Sequence, residues 1–485
     1  MTTRRIFLAG AGALAALSGM PMAAALGKNM SQDIAILRSA FETMHPGLYR
    51  YATLAQIDRG FRQLEARWAG AASLAEAYLS LSEFLATIRC GHTYANFYNQ
   101  KQDVVQALFA ARNKLPFRFR WLDRRMIITS EGGSALVPGT EVLAIDGRPV
   151  QDVLQRMLAI ARADGSNDAK RVELLEVKGD EGFQTFDVFF ALIFPIMRNV
   201  FDIQARAPGS KALLRLSVDA IDLNQRRAQS KSAEQAANAP LWSLAFDRKD
   251  VARLTMPTWA VYNSKWDWKG FLNDAFQQIR TRNSRSLIVD LRGNEGGLDC
   301  GDEIIARLID EALPRVTYER RVRYRQAPKE LDPYLDTWDP SFKDWGADAV
   351  PLDDRYFRLI ESDGQSRAPI LPQGPRFNGK VVVLVDAANS SATFQFSQLV
   401  QSRRLGTLLG APTGGNLRGI NGGAFFFLRL PNSGLEVDLP LIATFPSTPQ
   451  PDAGLTPDVL VSDTASDIAQ GRDVVLAKAI EVCAA

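Results

Sequence analysis

Two runs of continuous apolar residues, each followed by a turn of small residues and then by a helical pattern, constrain the fold of this chain most. Ser286–Arg292 leads through a Gly-rich turn into a helix through Ile304, and Lys380–Val385 leads through a second turn into a helix that carries Phe396. Leu405–Leu409 is a third run of the same kind. Continuous apolar runs are typical of strands buried on both faces, and strand–turn–helix units in series favour a mainly parallel sheet. The sequence therefore predicts an α/β domain in the second half of the chain.

The residues before this domain carry a helical period instead. Three apolar stripes run from about residue 30 to residue 90, and the third begins at the capping-box sequence Ser73–Glu76. The pattern predicts an N-terminal helical domain over residues 28–100. The stripes are Ile34, Leu37, Phe41 and Met44; Ile57, Phe61, Leu64 and Trp68; and Tyr78, Leu81, Leu85 and Ile88.

A β-rich segment follows over residues 111–165. Val137–Val150 contains a Pro-Gly pair and an Asp-Gly pair, which are turn signals, on either side of a short apolar run. This stretch resembles part of a PDZ-like domain, a module that takes an extended peptide as an added strand. A small β-rich insertion of another kind would leave the same pattern. Further along, Asn432–Gly434 joins two apolar runs, 425–430 and 435–439, in a predicted hairpin.

The charge and the residue counts exclude several classes of function. With 57 basic and 54 acidic residues the net charge is +3, which gives no support to nucleic-acid binding, because such proteins concentrate basic residues on one face. Two histidines and three cysteines, without CxxC or HExxH spacing, disfavour a catalytic zinc ion. We expect no metal and no other cofactor. The odd number of cysteines also excludes a monomer in which every cysteine is paired in a disulfide.

Residues 1–25 are predicted to be an export signal. Arg4 and Arg5 precede a short Ala- and Gly-rich apolar run, and Ala23–Ala25 supplies the small residues of a cleavage site. The pattern resembles a twin-arginine signal, which exports folded proteins. An uncleaved membrane anchor is the alternative, although the run is short and interrupted by Gly and Pro. The sequence therefore predicts a periplasmic or secreted protein whose mature chain has no membrane span.

Two segments of the α/β domain carry residue types that could perform chemistry, and each follows a predicted strand. Asp290–Gly297 (Asp-Leu-Arg-Gly-Asn-Glu-Gly-Gly) could present backbone N–H groups to an anion. Asp386–Thr393 places Ser390 and Ser391 at the start of a helix. A hydroxyl at that position is a nucleophile in some proteins and a helix cap in most.

The chain has two histidines that could serve as a base. His92 lies in Cys90–Thr93, directly after a predicted helix. His45 lies in a Met-His-Pro sequence at another helix end, where packing or capping accounts for it. If a serine of this chain requires an imidazole, His92 is therefore the better candidate.

Together these segments resemble the family of C-terminal-processing peptidases, peptidase family S41, which includes tail-specific proteases and tricorn protease. The family signature DLRxNxGG is similar to Asp290–Gly297, and the family's nucleophile turn is similar to Asn389–Ala392. Two later motifs are similar to Leu409–Gly415 and Gly454–Val461. The resemblance implies a crotonase-like (ClpP/crotonase) α/β catalytic core over residues 240–480, with an N-terminal helical domain and a PDZ-like insertion.

Two departures from the family pattern bear on the mechanism. Tail-specific members have a lysine base after a T-x-G motif, and Asn416 occupies that position here. Tricorn-like members have a histidine in a D-G-H-T sequence, and here Cys90 replaces the aspartate while His92 is retained. The resemblance therefore implies a Ser–His enzyme rather than a Ser–Lys enzyme.

In that interpretation His92 takes the proton of Ser391, and Ser391 forms an acyl-enzyme with the substrate. Ser390 is a rival nucleophile, since the register of a two-serine turn can slip by one residue. The remaining catalytic groups that the resemblance implies are oxyanion donors at Gly296, Gly297 and Ala392 and an orienting acid at Asp452.

The predicted function is an exported serine endopeptidase that acts on extended or C-terminal segments of a peptide or protein substrate. Two alternatives stay open at this point. One is a non-catalytic peptide- or ligand-binding protein on the same scaffold, and the other is a hydrolase for small esters or amides. Covalent labelling separates the binding protein from the hydrolases, and turnover of peptides against esters separates the two hydrolases.

Overall fold

The computed structural model of the protein describes residues 30–130, 136–179, 182–230, 240–262, 264–316, 318–360 and 368–484. The predicted export signal, residues 1–25, lies outside the described residues. The described chain folds into helices and strands in a mixed α/β arrangement, as predicted.

The described helices include one on each of the three N-terminal apolar stripes. The described α-helices are α1 (Met30–Met44), α2 (Leu54–Ala69), α3 (Leu74–Thr87), α4 (Gln102–Leu108), α5 (Val150–Leu158), α6 (Asp168–Leu174), α7 (Thr185–Ile193), α8 (Leu223–Ala228), α9 (Trp268–Thr281), α10 (Gly301–Ile305), α11 (Ser391–Ser402), α12 (Ala465–Ala469) and α13 (Val474–Ala484). α3 begins after Ser73, whose hydroxyl accepts from the Glu76 N–H. None of these helices combines the length and apolarity that crossing a membrane requires.

The strands form three sheets. The described strands are β1 (Arg118–Leu122), β2 (Arg125–Ser130), β3 (Glu141–Ile145), β4 (Arg148–Pro149), β5 (Val200–Arg206), β6 (Leu214–Asp219), β7 (Ser243–Arg248), β8 (Val251–Thr255), β9 (Ser286–Asp290), β10 (Tyr318–Val322), β11 (Leu335–Asp336), β12 (Ala349–Pro351), β13 (Phe357–Leu359), β14 (Lys380–Val385), β15 (Thr407–Gly410), β16 (Asn421–Arg429), β17 (Glu436–Pro446) and β18 (Val459–Leu460).

The three apolar runs of the second half form β9, β14 and β15, which lie side by side in a sheet of order β18-β15-β14-β9-β8-β7. Five of these strands run parallel, and β7 is an antiparallel edge strand. The prediction of a mainly parallel sheet is therefore confirmed. Helices α9, α10 and α11 cover one face of the sheet, and α13 covers the other.

The parallel pairing of β9 with β14 determines where the candidate residues meet. The register pairs Asp290 with Leu384, and the N–H of Leu291 donates to Leu384 O at 3.0 Å. The carboxyl ends of parallel neighbours lie at the same edge of a sheet. The Gly-rich turn after β9 and the two-serine turn after β14 consequently start next to each other.

The β-rich segment belongs to an antiparallel sheet of order β1-β2-β3-β5-β6, with β4 paired to β3. Its turn signals flank β3, and Gly147 in the second turn has a φ of 75°. The sheet extends past residue 165, since β3 also pairs with β5. The segment 111–165 thus supplies β1 to β4 of a larger sheet.

The third sheet has the order β11-β16-β17-β10-β13-β12 and contains the predicted hairpin, because β16 and β17 pair antiparallel. The N-terminal helices pack on this sheet and on the first sheet in one apolar cluster. Within it, the buried carboxylate of Asp33 on α1 accepts from the N–H groups of Asn432 and Ser433 at the hairpin turn, at 3.0 and 2.7 Å. The helical region is therefore tied directly to the sheet that carries β16.

We expect Asp33→Ala to lower the melting temperature, because it leaves the turn of Asn432 and Ser433 without its buried acceptor. Each hydrogen bond to a charged group contributes about 1.5–3 kcal/mol. Differential scanning calorimetry measures the change. Gln32→Ala is the matched control, since Gln32 is exposed and accepts from the side chain of Asn432. Equal melting temperatures for the two variants would contradict the expectation.

Candidate active site

The turn after β14 places Ser391 at the first position of α11. Ser391 has a φ of 52°, in the left-handed region that a residue with a Cβ adopts only at an energetic cost. The fully buried side chain of Asn389 holds the turn, since its Nδ2 donates to Leu291 O at 2.6 Å and to Asn294 O at 3.0 Å. These bonds fix the serine turn to the Gly-rich segment after β9. A strained serine in a strand-to-helix turn is typical of hydrolase nucleophiles.

The two serines of the turn differ in their contacts. Ser390 Oγ donates to Glu295 O at 3.0 Å, and the Ser390 carbonyl accepts from Thr393 Oγ1 at 2.8 Å. Ser391 is half-buried, and its hydroxyl has no hydrogen-bond partner within the described ranges. The geometry leaves Ser391, rather than Ser390, free to react.

Two glycines of the Gly-rich segment lie so close to neighbouring backbone that a side chain would not fit at either position. Gly296 and Gly297 have φ values of 105° and 141°. A Cβ on Gly296 would lie 2.8 Å from Ser390 O and 3.0 Å from Ala392 N, and a Cβ on Gly297 would lie 2.1 Å from Trp259 O. Glycine allows both the backbone conformation and the close approach.

The three predicted oxyanion donors differ in availability. The N–H of Gly296 donates to the side-chain oxygen of Asn294 at 2.9 Å. In the part of the chain that the structure describes, the N–H groups of Gly297 and Ala392 donate to no protein atom. An unpaired N–H is expected for Ala392, which lies in the first turn of a helix. Gly297 and Ala392 are therefore the two donors that a substrate oxygen could use.

His92 lies in the loop after α3 and packs on β16. Its ring atoms lie 3.7–3.8 Å from the position that a Cβ on Gly422 would occupy, and its ring centroid is 5.8 Å from that of Phe425. The register of β16 with β17 shifts between these two residues, so the imidazole lies over a bulge. Its Nδ1 is buried and has no hydrogen-bond partner among the described residues.

Burial lowers the pKa of His92. The charges of Asp164 and Glu295 oppose this shift, whereas those of Arg162 and Lys170 add to it. The net lowering of the pKa keeps the imidazole neutral at pH 7, which is the form that accepts a proton.

Ser391 borders the Gly-rich segment, since a Cβ on Gly296 would lie 3.0 Å from Ser391 Cβ, and the charge of Glu295 in that segment acts on His92. The carbonyl of Glu295 binds the neighbouring Ser390, and the carboxylate of Glu295 acts on His92. No hydrogen bond joins His92 to Ser391 within the described residues. The structure thus brings the predicted nucleophile and oxyanion donors together, and the charge of Glu295 links His92 to them electrostatically without a Ser–His hydrogen bond.

Asp452, the predicted orienting acid, has a different set of partners. Its carboxylate accepts from the N–H and the hydroxyl of Ser166, at 3.0 and 2.9 Å, and from Asn416 Nδ2 at 2.7 Å. Across the described ranges, no hydrogen bond connects Asp452 to His92.

A second carboxylate, Asp164, lies next to the His92 loop. It is buried, its Oδ1 accepts from the Gly91 N–H at 2.9 Å, and it is the foremost charge acting on His92. Asn416 links the two acids, because its Nδ2 also donates to Asp164 O at 3.1 Å. Asp164 was not among the residues predicted from the sequence. Its one local signal, an Asp-Gly pair, predicts only a turn, and its contact with Gly91 spans 73 residues.

His45 supports the base loop and is not free to act as a base. It is fully buried, its Nδ1 accepts from the Gly47 N–H at 3.1 Å, and its Nε2 is 2.8 Å from Thr93 Oγ1. Since Nδ1 accepts, Nε2 carries the proton of the neutral ring. Burial lowers the pKa of His45 to about 3.

The cysteines and acids of the described chain offer no metal centre. Burial raises the pKa of the Cys90 thiol to about 11, so the thiol is protonated at neutral pH. Cys90, Cys300 and Cys483 are all free. Within the described ranges, no group of three or more His, Cys, Asp or Glu side chains is placed to hold a metal ion.

Comparison with models of protein families matches one segment of the chain to a known family of peptidases. Residues 250–461 match the model of peptidase family S41. This segment, somewhat under half of the chain, is therefore similar to peptidase family S41. The match supports a protease as the activity of the protein. No curated protein matches the chain.

The chain also has a fold similar to solved structures of CPAF. Mature CPAF complexed with lactacystin is 15% identical with a TM-score of 0.63, over 94% of this chain and 98% of the CPAF chain. Mature CPAF in a second structure is 14% identical with a TM-score of 0.59, over 94% and 96% of the two chains. At these identities the similarity shows the fold alone, and it extends well beyond the S41 segment.

We expect the stability of the protein to depend on pH through His45. Its folded pKa, about 3, is below the ordinary value of 6.5, so only the unfolded chain gains the proton as the pH falls below 6.5. Stability is complete above that pH and declines toward pH 3, by about 1.4 kcal/mol per unit. Melting temperatures between pH 7 and pH 5 should fall less steeply for His45→Asn than for the wild type, and parallel curves would contradict this assignment.

Proposed function

We propose that the protein is an exported serine-type endopeptidase that cleaves extended or C-terminal peptide segments through an acyl-enzyme on Ser391, with His92 as the base. The observation that carries the proposal is the backbone of Ser391. A non-glycine residue in the left-handed region, at the start of a helix and beside Gly296, with an unengaged hydroxyl, is arranged for attack rather than for capping. Ser390, by contrast, already donates to Glu295 O.

The proposed reaction begins when the Ser391 hydroxyl gives its proton to His92 and its oxygen attacks the substrate carbonyl carbon. The N–H groups of Gly297 and Ala392 stabilise the oxyanion of the tetrahedral intermediate. The carbon–nitrogen bond then breaks, and His92 gives the proton to the leaving amine. Water, deprotonated by His92, releases the acyl group and regenerates Ser391.

The Ser–His hydrogen bond, which is not made in this structure, would form when substrate binds. Catalytic hydrogen bonds are often long in free enzymes and tighten in the substrate complex. The neutral state of His92, which burial favours, supports its role as the acceptor.

We assign the orientation of His92 to Asp164 rather than to Asp452. The carboxylate of Asp164 holds the N–H of Gly91, directly before His92, whereas the contacts of Asp452 are with Ser166 and Asn416. A negative charge beside the imidazole also stabilises the imidazolium that forms during catalysis. In this proposal Asp164 supplies the carboxylate that the segment Cys90–Thr93 lacks.

The match of residues 250–461 to the model of peptidase family S41 supports a peptide or protein substrate. The PDZ-like segment at residues 111–165 is proposed to take part of an extended peptide. The twin-arginine pattern around Arg4 and Arg5 supports export to the periplasm or beyond. The crotonase-like character of the α/β core is part of the same proposal.

The proposal is tested by labelling the mature protein with a fluorophosphonate and mapping the labelled peptide. We expect the wild type to carry the label on Ser391. Ser391→Ala should remove it, and His92→Ala should slow it by about 100-fold or more, because the serine loses its base. Ser390→Ala is the matched control in the same turn and should still be labelled.

Other results of the labelling experiment would favour one of the alternative functions or the alternative nucleophile. A wild type that stays unlabelled at every pH would favour a non-catalytic binding protein on this scaffold. Labelling on Ser391 with turnover of small esters but not of peptides would favour an ester or amide hydrolase. Labelling on Ser390 would reverse the assignment of the nucleophile.

A further prediction distinguishes the two acids. Asp164→Asn should lower kcat for a peptide substrate by at least about 10-fold, since loss of an orienting carboxylate costs up to about 10⁴-fold in a Ser-His-Asp enzyme. Asp452→Asn, at the other end of the Asn416 bridge, should have the smaller effect. Steady-state kinetics of both variants decide the assignment, which is reversed if Asp452→Asn is the more damaging change.

A further inference from the structure

Lys170, on α6, is a charged residue buried against the catalytic loops. Its side chain is 6% exposed. Its Nζ donates to Glu295 Oε1 at 2.5 Å, to Glu173 Oε2 at 3.3 Å and to Ala388 O at 3.2 Å. Each of its three ammonium protons therefore has an acceptor.

Two of these acceptors belong to the two loops of the candidate site. Ala388 lies in the turn that leads to Ser391, and Glu295 directly precedes Gly296. One ammonium group thus connects the loop that carries the nucleophile to the loop that carries the oxyanion donors. The hydrogen bond from Ser390 Oγ to Glu295 O joins the same two loops from the other side.

The protonation state of Lys170 excludes a role as a base. Burial lowers the pKa of its amine, but the charges of Glu173 and Glu295 outweigh this and raise the pKa above its ordinary value. The amine therefore stays charged at neutral pH and has no lone pair to accept a proton from serine. Its contribution must be structural or electrostatic.

The segment that leads to Lys170 is itself anchored to both halves of the site. The Gly165 N–H donates to Arg89 O at 2.9 Å, next to the His92 loop. Asn167 Nδ2 donates to Thr413 O and Gly415 O, both at 2.8 Å. The loop after β15 is in turn bound to the serine turn, because the N–H groups of Gly414 and Gly415 donate to Asn389 O at 2.8 and 3.0 Å. Residues 164–170 consequently connect the His92 loop to the serine turn through that loop.

We propose that Lys170 is a positioning residue that sets the distance between the nucleophile turn and the Gly-rich segment, so that the N–H groups of Gly297 and Ala392 stay aligned with Ser391. This inference rests on the proposed peptidase function. Lys170 lies outside the S41 segment 250–461, so the matched segment does not contain every group that arranges its own site.

The test compares Lys170→Met with Lys178→Met. Lys178 belongs to the same charged cluster, because it binds Glu173 and lies 3.7 Å from Glu176, but it makes no hydrogen bond to either loop in the described chain. Lys170→Met should lower the fluorophosphonate labelling rate constant and kcat by about 100-fold, since small misplacements of catalytic groups have effects of that size. Lys178→Met should leave both close to wild type.

The pH dependence of the labelling rate is a second measurement, and it would not change if Lys170 had a purely structural role. The charges acting on His92 come from Asp164 and Arg162 beside its loop, from Glu295 and from Lys170. Removing the positive charge in Lys170→Met should raise the pKa of His92 and shift the labelling profile to higher pH. Removing the negative charge in Glu295→Gln should shift the profile to lower pH.

A double variant distinguishes a direct loss of activity from a loss caused by misfolding. Lys170→Met alone leaves a carboxylate without its partner, whereas Lys170→Met with Glu295→Gln removes both charges and should fold while remaining slow. Near-wild-type labelling of Lys170→Met or of the double variant overturns the inference. Equal losses of rate in Lys170→Met and Lys178→Met, with equal falls in melting temperature, overturn it as well.

The inference and the proposed function fail in different ways. If the wild type is labelled on Ser391 and Lys170→Met is labelled equally fast, the peptidase function stands and the role of Lys170 is refuted. If the wild type is not labelled at all, the proposed function fails, and the positioning role fails with it.

Discussion

The parallel pairing of β9 with β14 is the constraint on which the rest of the site depends. The register that places Asp290 beside Leu384 makes the next residues of both strands leave the sheet at one edge. The Gly-rich segment and the serine turn then share hydrogen bonds through the buried side chain of Asn389. A shift of one residue in this register would separate the oxyanion donors from Ser391, because each turn is short and held by its strand.

His92, the proposed base, is held by a different set of contacts. The apolar cluster that unites the N-terminal helices with the third sheet brings the loop after α3 onto the bulge of β16. Buried polar groups then define the position of that loop, since Asp164 holds Gly91 and His45 holds Thr93. Buried groups of this kind are costly unless each is satisfied, so their contacts specify one arrangement. The proposed nucleophile and the proposed base therefore depend on separate packing interfaces.

Much of this organisation was predictable from local patterns. Strands β9 and β14 are continuous apolar runs, the N-terminal helices have a clear helical period, and the β16–β17 hairpin has a turn signal between its strands. The oxyanion region was predictable only in outline. The family resemblance implied Gly296, Gly297 and Ala392 as donors. In the structure, the N–H of Gly296 already donates to the side chain of Asn294. The direction of a backbone N–H depends on φ and ψ, which residue type does not determine.

The sequence by itself determined the parallel sheet and the positions of the Gly-rich and two-serine turns, because each depends on residues close together in the chain. The family resemblance of these motifs then made Ser391 and His92 the candidates. Only the tertiary structure decided which charged groups surround them. Gly91 and Asp164 are 73 residues apart, and Lys170 and Glu295 are 125 residues apart. Contacts at such separations arise from packing of distant elements and leave no periodicity or spacing in the chain. For the same reason Asp452, which a motif suggested, has partners at Ser166 and Asn416, whereas Asp164, which no motif suggested, lies beside the base.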